Sequence, residues 1–146
     1  MMPGFAIIFG FLAATAALLV QVFFSFFVTS PLMGTLALPL IIGAATIEES
    51  MKLLFLIQLG KRSTGVVSLF HAFLFGIGFV AVEAGLLIFS TALFPGLMTL
   101  GTIIGIQLIG TFIIYGGLRF REQGALSPVI ALLAAILVHV LYNASL

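Results

Sequence analysis

The chain has 146 residues, 63% hydrophobic and only 6% charged, with a formal net charge of +1 and no cysteine. Soluble domains carry roughly 25% charged residues, so this composition excludes a water-soluble globular protein. The charge balance offers no basic stripe to nucleic acid, and the missing cysteine excludes disulfides and thiolate metal sites.

Five apolar segments follow one another, each near the roughly 20 residues that cross a bilayer as a helix. The first is predicted over residues 5–28 and stops at "TSP". It lacks a charged leader, and its apolar run exceeds the roughly 7–15 residues of a signal-peptide core, so it reads as a retained span. The second, 35–59, contains "GAATIEESMKLL" and stops at "GKRSTG". The third, 66–89, contains His71, Phe79 and Glu83 and ends near "STALFPG". The fourth, 97–118, contains "GTIIGIQLIG" and ends at "RFREQG". There Gly101 and Gly105 form a G-x-x-x-G pair, a close-packing face in membranes, and Gln107 reads as a helix-to-helix hydrogen bonder. The fifth, 128–146, carries His139 and Asn143. Pro31, Pro95 and Pro128 lie at or just before span starts, where proline is best tolerated.

The segments are too long and too evenly apolar for barrel strands, which alternate over about 10 residues. The expected fold is therefore all-α: one membrane-embedded helix bundle over residues 1–146, with about five transmembrane helices. Lys61 and Arg62 follow the second span, and Arg119 and Arg121 follow the fourth, so both connections belong on the cytoplasmic side. That orientation gives a cytoplasmic N-terminus and an external C-terminus, with the cell membrane as the expected location.

Three of the four acidic residues fall inside predicted spans: Glu48, Glu49 and Glu83. Lys52 joins them. A central membrane charge costs about 2.5–3.5 kcal/mol on insertion scales, so such groups persist where they meet partners or water. Helix rise places Glu48, Glu49, Glu83, His139 and Asn143 in the central-to-outer half of the bilayer and His71 about three turns below Glu83. Glu48 and Lys52 are i,i+4 with the glutamate first, the order that favours a pair; Glu49 is i,i+3 to the same lysine. One polar cavity holding Glu48 or Glu49 with Glu83, His139 and Asn143 is expected, with His71 outside it at the interface.

Amide hydrolysis needs a base to activate water, a donor for the oxyanion and an acid for the leaving amine. Carboxylates, a histidine and an asparagine supply these groups. A histidine with carboxylates is also a ligand set for Zn2+, with Glu49, Glu83 and His139 as the possible ligands, and a metal-dependent and a glutamate-type mechanism both stay open. A buried structural bridge or a proton or ion relay would use the same residue types.

The motifs also match a family pattern. "EESMK" fits E-E-x-x-K, "FVAVE" fits F-x-x-x-E through Phe79 and Glu83, and "HVLYN" fits H-x-x-x-N. In that order they resemble the PrsW family of membrane-embedded proteases. That family is grouped with CAAX proteases, bacteriocin-processing proteins and the Aph scaffold subunit of γ-secretase. The resemblance implies hydrolysis of a peptide bond in a transmembrane or membrane-bound protein substrate. It implies catalytic roles for Glu48, Glu49, Glu83, His139 and Asn143, with Lys52 and Phe79 supporting them. A non-catalytic scaffold of the Aph kind and a proton or ion carrier are the alternatives.

Overall fold

The computed structural model describes residues 3–28, 37–62, 67–91, 96–120 and 127–145. They form five α-helices: α1 Pro3–Val28, α2 Ala37–Arg62, α3 Leu69–Thr91, α4 Leu97–Arg119 and α5 Pro128–Asn143. Helices are what such a sequence requires, because in lipid each backbone N–H and C=O must be satisfied within its own segment. Three stretches are long and apolar enough to cross a membrane, Pro3–Ser25, Leu69–Ser90 and Leu97–Arg119, and α5 is a shorter apolar helix. The 26 residues of α2 have the length to cross as well. Two charged side chains at its middle are directed inward: Glu49 and Lys52 are fully buried.

Several boundaries depart from the sequence reading: α1 starts at Pro3 rather than 5, and α3 runs Leu69–Thr91 rather than 66–89. The second helix does not stop before "GKRSTG"; it runs through Lys61 and Arg62, which occupy its last turn. Cations there meet the partial negative charge and open carbonyls of a helix C-terminus, so the basic pair extends the helix. The fifth helix starts at Pro128, with the Ser127 side chain accepting from the Ile130 N–H, and stops at Asn143. Arg121 and Pro31 lie outside the described residues.

Packed neighbours place the helices in a ring, in the order α1, α3, α4, α5, α2 and back to α1, with α2 also reaching α4 across the interior. The tightest crossing is α1 on α3. A Cβ built on Gly10 would overlap the carbonyl oxygen of Phe75, and one on Gly78 would overlap that of Ile7. Backbones approach this closely only where the side chain is a hydrogen atom, the small-residue packing that replaces hydrophobic association in lipid. The G-x-x-x-G pair in α4 is not used in this way. A Cβ at Gly101 or Gly105 would meet nothing within 4 Å. The close approach of α4 to α5 lies instead at Gly117, against Ala131.

Gly10→Ala is expected to lower the melting temperature in detergent, with a loss of about 1–3 kcal/mol from overpacking. Gly43→Ala, where a Cβ meets nothing within 4 Å, should leave it unchanged or raised, since alanine is the better helix former. Thermal unfolding of the two variants checks the α1–α3 crossing; equal behaviour would contradict it.

Candidate active site

Every helix sends polar groups to one level of the bundle. Gln21 comes from the last turns of α1, Glu48, Glu49 and Lys52 from the middle of α2, and Glu83 from the later half of α3. Gln107 comes from α4, and His139 and Asn143 from the last turns of α5. Helices that alternate in direction bring these positions together, because the ends of α1, α3 and α5 and the starts of α2 and α4 share a side.

The arrangement has two layers. The inner one is closed. Lys52 Nζ donates to Glu49 Oε1 at 2.6 Å and to Gln107 Oε1, and lies 4.7 Å from the ring centroid of Phe79. An ammonium has three donors and no acceptor. Here two carry hydrogen bonds and the charge rests on an aromatic face, a contact that strengthens when desolvated. Glu49 Oε1 also meets His139 Nδ1 at 2.8 Å. Lys52 and Glu49 are both 0% exposed. The second oxygen, Glu49 Oε2, is buried without a hydrogen-bond partner; a Cβ on Gly110 would come within 2.8 Å of it. A side chain at this position of α4 would press on the carboxylate.

The outer layer faces a cavity of about 430 Å³ lined by Glu48, Glu83, Gln107, His139, Tyr142 and Asn143, with aliphatic residues and two threonines of α3 and α4 completing the wall. Glu83 accepts from Gln107 Nε2 through both oxygens, at 2.6 and 2.7 Å. Glu48 accepts from Gln21 Nε2 at 2.8 Å through Oε1, and its Oε2 lies 3.4 Å from Gln107 Nε2 and 3.5 Å from His139 Nε2. His139 thus stands between the two layers, one ring nitrogen on Glu49 and the other toward Glu48. The orientation of the Gln107 amide is fixed by chemistry. Its oxygen meets an ammonium and its nitrogen meets carboxylates, and the flipped amide would turn donors to the cation and the oxygen to the anions.

The residues singled out in the sequence take up different positions. Glu48, Glu83, His139 and Asn143 line one cavity. Glu49 is not among the lining residues; it lies behind them. Lys52 pairs with Glu49 rather than in the i,i+4 arrangement with Glu48, because Glu48 is turned toward Gln21 of α1 while Lys52 runs inward to Gln107 and Phe79. Phe79 is the floor under that ammonium. His71 is at the opposite end of α3, where the N-capping Ser68 Oγ meets its Nδ1 at 2.6 Å. Gln107, read from the sequence as a plain helix-to-helix hydrogen bonder, is the centre of the site. Gln21 was not singled out at all. Its signal is a lone amide in "LLVQVFF".

The possible Zn2+ ligands Glu49, Glu83 and His139 have protein partners in this arrangement. Glu49 Oε1 is held by an ammonium and the histidine Nδ1, and both oxygens of Glu83 are held by Gln107. Among the described residues no three His, Cys, Asp or Glu side chains are grouped so as to hold a metal ion.

No family model, no curated protein and no solved structure matches the chain.

Proposed function

We propose that the chain is an intramembrane protease that hydrolyses a peptide bond of a membrane-bound protein. The cut is placed in the half of the bilayer that holds the α3–α4 connection. One observation carries this reading: two carboxyl groups, a histidine and an asparagine line a single cavity at membrane depth, while the ion pair behind them is sealed. The ordered motifs that resemble the PrsW family point the same way.

The roles follow from position. Glu48 and Glu83 both face the cavity and are bridged by one amide. One of them, ionised, takes a proton from a water, and the other, protonated, gives one to the leaving amine; general acid–base work of this kind contributes about 10²–10⁴-fold. Asn143 supplies an N–H donor for the oxyanion, a neutral group that needs no charge at the moment of reaction. His139 Nε2 is 3.5 Å from Glu48 Oε2 and holds that carboxylate from the inner side. Glu49 orients the histidine through Nδ1 at 2.8 Å, as a second carboxylate does in many hydrolases, and Lys52 neutralises Glu49. Glu49 is therefore a positioning residue, and the water-activating role falls to the cavity pair.

The test is a comparison of membrane-protein N-termini in cells making the wild-type chain or Glu48→Gln. New N-termini that depend on Glu48 identify substrates. Equal N-termini in the two populations favour a non-catalytic scaffold, the second reading, which draws on the closed Lys52–Glu49–Gln107 network tying α2 to α4.

We also propose that the chain lies in the cell membrane, with the N-terminus cytoplasmic and the C-terminus external. Lys61, Arg62 and Arg119 all lie at one end of the bundle, the end that the positive-inside rule assigns to the cytoplasm. Reporter fusions to the two termini are expected to show opposite sides. Both reporters active in one compartment would contradict it.

A further inference from the structure

We infer that the cavity selects an apolar peptide segment carrying a cationic side chain and rejects the same segment carrying an acidic one; that the ligand is a peptide rests on the protease reading. The lining includes two carboxyl groups, Glu48 and Glu83, and no lysine or arginine. Among the described residues the lysine at this level, Lys52, is 0% exposed and is held on the far side of Gln107. The Gln107 side chain acts as a partition, its oxygen on Lys52 and its nitrogen on Glu83 and Glu48. Lys52 is matched by Glu49, so its positive charge is balanced within the inner layer, and the basic side chain that faces the cavity carboxylates is His139, 3.5 Å from Glu48.

The wall above them is largely hydrocarbon, with Thr99 and Thr102 among its residues. Leu87, Met98, Ile103 and Ile106 contribute hydrocarbon. The Thr102 hydroxyl is bound back to the Met98 carbonyl, which leaves that side chain's methyl as its remaining surface. A lysine or arginine fits such a space with its methylene stem along the wall and its charged head on the carboxyl pair, of which one member is ionised. Low dielectric makes that attraction strong. It makes the approach of an acidic side chain unfavourable for the same reason, since like charges brought together out of water are strongly disfavoured.

Three transmembrane peptides test this, identical except for a single Lys, Leu or Glu at one position in the outer half, each bound to the protein in lipid nanodiscs at neutral pH. The Lys peptide is expected to bind at least about tenfold tighter than the Glu peptide, the ratio that corresponds to 1.4 kcal/mol, with Leu between them. Equal binding, or tighter binding of Glu, overturns the inference. Gln107→Ala removes the partition and lets Lys52 reach the cavity carboxylates, so the preference should shrink toward one in a variant that still melts cooperatively. An undiminished preference there contradicts the partition. If that variant does not fold, the wild-type series decides alone. Binding and cleavage also separate the two claims. A Lys preference with no peptide cut counts against the protease reading and leaves the selectivity standing; cleavage without preference does the reverse.

Discussion

Glu48→Gln should lower peptide cleavage by about 10²-fold or more, the scale of a positioned acid–base group, and leave the melting temperature close to that of the wild type. The two halves of this result come from different features of one side chain. Glu48 lines the cavity and faces both His139 and Gln107, so its charge is placed where water would be activated. Its shortest bond is the one it accepts from Gln21, and a glutamine oxygen in the same place still accepts it. Its side chain is 16% exposed, against 0% for Glu49, so no sealed ion pair is broken by removing the charge. Glu83→Gln should behave similarly in activity, since both its oxygens are held by an amide rather than by a cation. Cleavage rate and thermal melting measured on the same preparations check this; a fall in melting temperature in proportion to activity would contradict it.

Lys52→Met has the opposite signature. It keeps the length of the side chain and removes the charge, leaving Glu49 fully buried beside an orphaned oxygen. Removing one partner of a buried pair typically destabilises by about 3–5 kcal/mol, because the other charge is left without compensation. His139 Nδ1 is then the remaining side-chain hydrogen-bond partner of Glu49, and holding that bond under the new charge balance disturbs the face of the ring that meets Glu48. Stability and activity should fall together. Glu49→Gln in the same chain removes the stranded charge, so the double variant should recover much of the lost stability, a coupling that a double-mutant cycle reads directly. A double variant no more stable than Lys52→Met would mean that the pair does not hold the bundle.

The contrast between these two glutamates was not legible in the sequence, for a physical reason. Adjacent residues on a helix point about 100° apart, and Lys52 is within reach of both, i,i+3 from one and i,i+4 from the other. Which one it meets depends on what the neighbouring helices offer, here Gln21 for Glu48 and Gln107 with Phe79 for the lysine. Glu48, Glu83 and His139 could be read as a group because an ionisable residue in an apolar run is costly and therefore informative. A neutral amide is less costly and appears often as an interhelical hydrogen bonder, so Gln107 and Gln21 carried little signal although they organise the site. The helical class followed from composition and run length. The ring order of the helices did not, because it rests on contacts such as Gly10 against the Phe75 backbone that no periodicity encodes. The G-x-x-x-G pair at Gly101 and Gly105 shows the reverse failure: the motif is present and the close approach is made elsewhere.

Hydrolysis at the Glu48–Glu83 pair is the central claim, and cleavage in water enriched in oxygen-18 tests it most directly. Purified protein in nanodiscs, given a substrate identified from Glu48-dependent N-termini, should yield a new carboxyl terminus carrying the heavy oxygen. Glu48→Gln protein, melting at the wild-type temperature, should yield almost none. A wild-type preparation that leaves the substrate intact, or a Glu48→Gln preparation that labels it at the same rate, would contradict the account.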